Sequence, residues 1–170
     1  TLYKSIIRQA IEDDYMPMNG TMTVRTPRHR AKDPRFWDQN EMKFFLNAAV
    51  DHPRYKLWKF VLWTGLRGGE VAALKWDSIH LDMKSGAHIG FIKVCRTCSQ
   101  KKLTIRETTK NGEVRMIPIF PEIREMIFEM KTIAEGEFVF GGKKPFDPGH
   151  FSRDLKQQLR KIPEIKPVSF

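Results

Sequence analysis

The apolar residues of this chain change period at Trp76. Before it they recur three and four positions apart, as on one face of a helix. After it they come in short runs rich in Ile, Phe, Val and Thr, the residues that suit a pleated, half-buried surface. A chain patterned in this way has to bury a helical stripe and one face of a small sheet in a shared core. The predicted class is therefore α+β and mostly helical.

Leu2, Ile6, Ile7, Ala10 and Ile11 predict an amphipathic helix ending near Tyr15, broken by Pro17, Asn19 and Gly20. Residues 16–35 have no sustained period. Arg25, Arg28, Arg30, Lys32 and Arg35 crowd that stretch, which reads as an extended basic linker or, more plainly, as a solvated loop. Asp38 with Glu41 three positions on is a capping box opening a helix to Val50, with Met42, Phe45, Leu46 and Ala49 inward. Pro53 suits the first position of a second helix, carrying Leu57, Phe60, Val61 and Thr64 and stopped by Gly65. A third, short helix is expected from Gly68 to Lys75.

Strands are predicted at His88–Cys95, Leu103–Thr108 and Val114–Ile119, the last two joined across an Asn111-Gly112 hairpin turn. Together they make a small three-stranded antiparallel sheet. Pro121 then opens a helix with Ile123, Met126, Ile127 and Met130 on one face. A Gly/Pro-rich stretch, Gly136 to Gly149, carries a short strand at Phe138-Val139-Phe140. The last helix, His150 to Lys161, is basic, with Phe151, Leu155 and Leu159 inward.

Charge narrows the partner. The 170 residues hold 30 Lys+Arg against 20 Asp+Glu, a net charge of +10, which points to an acidic partner such as nucleic acid or an anionic membrane. Two cysteines make no disulfide framework, no signal-peptide pattern opens the chain, and runs such as Phe60-Val61-Leu62-Trp63 are too short to span a bilayer. The location these features suggest is cytoplasmic. Beginning at Thr1 and stopping at Phe170, the chain reads as a piece of a longer protein.

Two places could carry chemistry. In Thr64-Gly65-Leu66-Arg67-Gly68-Gly69-Glu70, Arg67 stands where one helix ends and the next begins, where amides and a guanidinium can grip an anion. The plainer alternative is a surface arginine in an interhelical turn. Glu70 is either a helix-start acid or a group that holds a neighbouring basic residue. Lys110 precedes the Asn111-Gly112 turn; a lysine on a mobile tip can deliver a proton, although most such lysines only keep a turn soluble. Cys95-Arg96-Thr97-Cys98 lacks a second pair at zinc spacing, the five histidines form no ligand cluster, and Gly141-Gly142-Lys143-Lys144 lacks the spacing of a phosphate-binding loop.

Trp63-Thr64-Gly65-Leu66-Arg67-Gly68-Gly69-Glu70-Val71-Ala72-Ala73-Leu74-Lys75-Trp76-Asp77-Ser78-Ile79 resembles the first arginine box of the tyrosine recombinases, the phage integrase family, T-G-L-R-x-x-E-hydrophobic-x-x-L-x-W-x-D-I. Lys110-Asn111-Gly112-Glu113-Val114-Arg115-Met116-Ile117-Pro118 resembles the family's K-x-x-x-x-R-x-hydrophobic-P hairpin. The resemblance covers roughly Phe36 to Phe170. It implies a DNA breaking-rejoining catalytic domain over 36–170, with 16–35 as basic linker and 1–15 as the last helix of a core-binding domain.

In that family a tyrosine attacks a scissile DNA phosphate, forms a 3′-phosphotyrosyl link and expels a 5′-hydroxyl, with no metal or cofactor. The resemblance implies that Arg67 is the first of two catalytic arginines, that Lys110 protonates the leaving oxygen and that Glu70 supports the site. Arg115 and the five basic linker residues are the candidate DNA contacts. It further implies duplex DNA at an attachment site as partner, a homo-tetramer on that DNA for the full-length protein, and a phage or other mobile element as source. The family continues with H-x-x-R and then the tyrosine, whereas Tyr3, Tyr15 and Tyr55 all precede the first box. The chain is therefore expected to hold half an active site and to be unable to cleave DNA. A non-catalytic duplex-binding regulator of this fold is the alternative; an RNA-binding fragment lacks its stacking motifs. Missing closing helices are further expected to leave Leu66, Val71 and Leu74, or Phe151 and Leu155, unusually exposed.

Overall fold

The computed structural model describes residues 2–17, 36–81, 90–100, 102–108, 112–165 and 168. They fall in two compact units, Thr1–Pro34 and Arg35–Phe170. The first contains α1 (Leu2–Glu12), of which no residue is buried. The second contains everything that follows.

Helices come first in that unit. Asp38 caps α2 (Gln39–Ala48) by accepting the N–H groups of Asn40 and Glu41 at 2.8 Å, while the Glu41 carboxylate accepts the Asp38 N–H at 3.0 Å. This is the reciprocal capping box expected from the sequence. α3 (Tyr55–Thr64) starts two residues later than predicted, because Pro53 belongs to a turn in which the His52 carbonyl accepts the Tyr55 N–H. It ends at Gly65, whose φ of +63° is open to glycine without strain. α4 (Gly68–Ala72) is shorter than predicted: the next residues leave the helix to meet Phe138, Trp76 donating to the Glu137 carbonyl and Val139 to that of Leu74, both at 3.0 Å.

A 3₁₀ turn, Trp76–Ser78, leads into β1 (Ile79–His80). β2 (Phe91–Val94) pairs antiparallel with β1 on one side and with β5 (Arg115–Pro118) on the other, Ile92 lying opposite both Ile79 and Ile117. The sheet has three strands as expected, but its membership differs. β4 (Ile105–Arg106) does not form the predicted hairpin with β5; it pairs with β3 (Thr97–Cys98) in a separate two-stranded ribbon. The physical reason lies in the return at Ser99–Thr104, where Ser99 N–H donates to the Thr104 carbonyl at 2.9 Å and closes a local hairpin. The turn residues 109–111 lie outside the described residues, as do 82–89.

α5 (Pro121–Thr132) begins at its proline as expected, and Phe138 makes only single bridges, to Lys75 and Gly142. α6 (Pro148–Leu159) starts two residues before the predicted His150, with Asp147 accepting the Gly149 N–H at 2.7 Å and proline in the first turn.

Beside a small cluster of Ala72, Ala73 and Cys98, one large core dominates the second unit. Phe45, Trp58, Phe60, Phe151, Ile92, Ile123 and Ile127 are all but completely buried in it. The expectation that missing helices expose Leu66, Val71, Leu74, Phe151 and Leu155 is overturned: each is at most 4% exposed. α6 itself covers that face, with Phe151 and Leu155 packed in the same cluster as Val71 and Leu74.

α4 and β3 meet at a close junction. A Cβ on Gly69 would stand 2.8 Å from the Cys98 carbonyl oxygen and 2.9 Å from Thr97 Oγ1. Backbone cannot yield as a side-chain tip can, so Gly69→Ala is expected to cost about 1–3 kcal/mol of stability. Denaturant unfolding of the chain checks this, and an unchanged midpoint would contradict the close packing described.

Candidate functional site

Arg67, Glu70 and Arg115 meet at the start of α4. The Thr64 hydroxyl donates to the Phe60 carbonyl at 2.7 Å, Gly65 reverses the chain, and extended backbone at Arg67 (φ −70°, ψ 149°) leads into α4. That path directs the Arg67 side chain outward and brings Glu70 inward three residues later. The Glu70 side chain is 3% exposed, that of Arg67 64% and that of Arg115 38%.

The buried carboxylate is bonded on both oxygens. Arg115 donates from Nη1 to Oε1 at 3.0 Å and from Nη2 to Oε2 at 2.6 Å, a bidentate pair between residues 45 apart in sequence. Arg67 donates its backbone N–H to Oε2 at 2.9 Å and Nη1 to Oε1 at 3.2 Å. Burial pushes the Glu70 carboxyl up, but the bonds from Arg115 and from the Arg67 N–H and guanidinium outweigh it, leaving it below its ordinary value. The same pair holds Arg115 more firmly charged than a free arginine.

Neighbouring elements hold this cluster in place. α6 packs on the start of α4, where a Cβ on Gly68 would lie 3.8 Å from Pro148 Cβ. This brings the Asp147 cap close to α4, with His150 Nε2 at 3.6 Å and Arg153 Nη2 at 4.0 Å from its carboxylate. On the other side, Arg96 ties the ribbon to the 3₁₀ turn. It donates from Nη1 and Nη2 to Asp77 at 2.7 and 3.0 Å and from Nε to Glu107 at 2.8 Å. The hydrogen bonds from Arg96, ahead of the opposing effect of burial, keep the Asp77 carboxyl low.

Chemically, the cluster offers an exposed guanidinium fastened at its base to a buried anion. Two guanidinium charges face one carboxylate, so the group is net positive and suited to an anion with several oxygens. The helix end adds little. α4 is five residues long, and Glu70 already takes the Arg67 N–H, so the anion-binding capacity resides in the side chain.

Solved structures share this architecture. A lambda integrase tetramer bound to a Holliday junction matches with a TM-score of 0.70 at 18% identity, over 99% of this chain and 47% of that one. The Tn1549 transposon integrase in complex with a circular intermediate DNA matches at 0.73 and 17%, over 98% and 58%. XerA recombinase matches at 0.57 and 17%, over 98% and 55%. The chain has the integrase fold.

No family model matches the chain, and neither does any curated protein. The chain spans about half the length of these integrase-fold structures. Of the residues singled out from the sequence, the integrase fold brings together Arg67, Glu70 and Arg115. Lys110, Arg25, Arg28, Arg30, Lys32 and Arg35 lie outside the described residues. Sequence reasoning took Arg115 for a DNA contact and did not see its tie to Glu70. The signal was present in strand alternation: Arg115 shares a face with Ile117, and the chain then buries Ile119, so Arg115 points toward the interior and needs a counter-ion. Arg96, between the two cysteines, carries no local signal of its bonds to Asp77 and Glu107, which lie 19 and 11 positions away. Among the described residues no helix is long and apolar enough to cross a membrane.

The depressed carboxyl sets a pH dependence. The stability that Glu70 supplies is complete above its ordinary value of 4.5 and is lost as pH falls through its lower folded-state value. Glu70→Gln is therefore expected to flatten the decline of Tm on acidification from about pH 6 to about pH 2.5. Thermal unfolding across that range tests it, and parallel curves for the two proteins would rule it out.

Proposed function

We propose that this chain is the catalytic portion of a site-specific DNA recombinase of a phage or other mobile element. In this reading the full-length parent cuts and rejoins duplex DNA through a 3′-phosphotyrosyl intermediate. The observation that carries it is the Arg67 guanidinium, exposed and anchored on buried Glu70, in the motif that resembles the first arginine box. The integrase fold supports it, as do the neighbours solved on DNA, among them lambda integrase and the Tn1549 transposon integrase.

Arg67 acts in this scheme by neutralising charge that builds on the phosphoryl oxygens in the transition state, where a pre-placed donor is worth most. Lys110 gives its proton to the departing 5′-oxygen, and Glu70 keeps Arg67 at its station. Arg25, Arg28, Arg30, Lys32 and Arg35 follow the DNA backbone and supply affinity without sequence choice. The partner is duplex DNA at an attachment site, and the full-length protein works there as a homo-tetramer in the cytoplasm. A duplex-binding regulator of the same fold is favoured only by the placement of Tyr3, Tyr15 and Tyr55 ahead of Arg67.

Binding is tested by fluorescence anisotropy on a duplex across a salt series. Each phosphate neutralised contributes about −0.9 to the slope of log K against log salt. Arg67→Gln is expected to weaken binding about tenfold, as loss of one charge-assisted contact does. Salt-independent affinity would refute the phosphate reading. On a nicked suicide duplex the 170-residue chain is expected to form no covalent adduct, and a trapped adduct would show that one of its own residues is the nucleophile.

A further inference from the structure

The Glu70 carboxylate has about four acceptor positions, two on each oxygen. All are filled. Oε1 accepts Arg115 Nη1 and Arg67 Nη1, and Oε2 accepts Arg115 Nη2 and the Arg67 N–H. Arg67 obtains one side-chain bond, the longest of the four at 3.2 Å, and its remaining guanidinium donors make no hydrogen bond among the described residues. Arg115 occupies the bidentate position, with both terminal nitrogens engaged.

Consider the cluster without Arg115. Two acceptor positions on a buried carboxylate fall empty, which is costly, and the nearest cation is Arg67, three residues away on the same turn. A guanidinium prefers two parallel bonds to a carboxylate over one. Arg67 would turn down onto Glu70 in that geometry, its charge cancelled and its free donors consumed. We propose that Arg115 is a positioning residue: by holding the bidentate place on Glu70 it keeps Arg67 from folding onto that carboxylate and leaves Arg67 open to a phosphate. The proposal rests on the reading of Arg67 as a phosphate ligand. It differs from a direct DNA contact by Arg115, two of whose five donors are taken up by Glu70.

A mutant cycle on duplex binding separates these roles, using the 170-residue chain and a mixed-sequence fluorescent duplex. Arg115→Gln and Arg67→Gln are each expected to weaken binding about tenfold, and the double variant no more than either alone. Adding Glu70→Gln to Arg115→Gln removes the trap and is expected to restore most of the affinity. A brace that only stabilised the fold would not be rescued in this way. Losses that multiply to about a hundredfold, or no rescue, would overturn the proposal and make Arg115 a contact in its own right. Arg115→Lys, which keeps the charge but not the fork, is expected to fall between and serves if Arg115→Gln does not fold.

A second readout needs no DNA. Hydrogen exchange at the Arg67 guanidinium, followed by NMR, is expected to slow in Arg115→Gln as Arg67 settles on Glu70. Unchanged exchange would overturn the proposal whether or not the wild type binds duplex. Absent wild-type binding with slowed exchange would overturn only the DNA reading on which it rests.

Discussion

A single buried carboxylate joins parts of this molecule that the chain separates widely. Glu70 sits on a five-residue helix too short to hold its place by its own hydrogen bonds, and Arg115 begins a strand 45 positions later. The bidentate bond between them is the direct polar tie from the helical layer to β5. Since β5 pairs with β2, and β2 with β1, the same tie fixes α4 against the sheet. Losing Arg115 would leave two acceptor positions of a buried carboxylate unfilled, which is costly.

Packing makes that carboxylate buried in the first place. Gly69 lets α4 approach the β3 backbone to a distance no side chain would tolerate, and α6 packs over the start of the same helix beside Gly68. Val71 and Leu74 complete the seal from within the core. Gly69 thus brings backbone close on one side and α6 covers the other, with Glu70 shielded from water and Arg67 in contact with it. The Arg96 bonds to Asp77 and Glu107 hold the far side of this frame.

Much of this was readable in the amino-acid order wherever the determinants are local. The Asp38 and Glu41 cap, the left-handed Gly65 and the proline that opens α5 each depend on a few adjacent residues, and each appears as expected. Strand partners depend on competition, and there the reading failed. Asn111-Gly112 is a strong turn signal, yet β4 is closed by the nearer return at Ser99–Thr104 and β5 goes to β2. The error about exposed apolar residues has a similar origin: periodicity identified Phe151 and Leu155 as one face of a helix but not that this face meets α4. For the site, Arg67 and Glu70 could be picked out because they share one helical turn. Strand alternation turns Arg115 inward, but its pairing with Glu70 depends on which strand lies over that turn, 45 positions away in sequence.

Stability alone does not explain the triad. A buried ion pair is often no better than apolar side chains of equal volume, so a core with leucines at positions 70 and 115 would be about as stable. It would leave Arg67 different. A free arginine carries about 2 kcal/mol of rotamer entropy to be lost whenever it is fixed on a ligand. Bonded at its backbone N–H and at Nη1, Arg67 has surrendered part of that freedom on folding and has less to lose on meeting a phosphate. Glu70 alone would do this at the expense of the charge, since a lone carboxylate would pair with Arg67 completely. With Arg115 present the anchor remains and the charge survives. The net charge of +10 draws an anion toward the chain as a whole, whereas the triad supplies an oriented donor at one defined place.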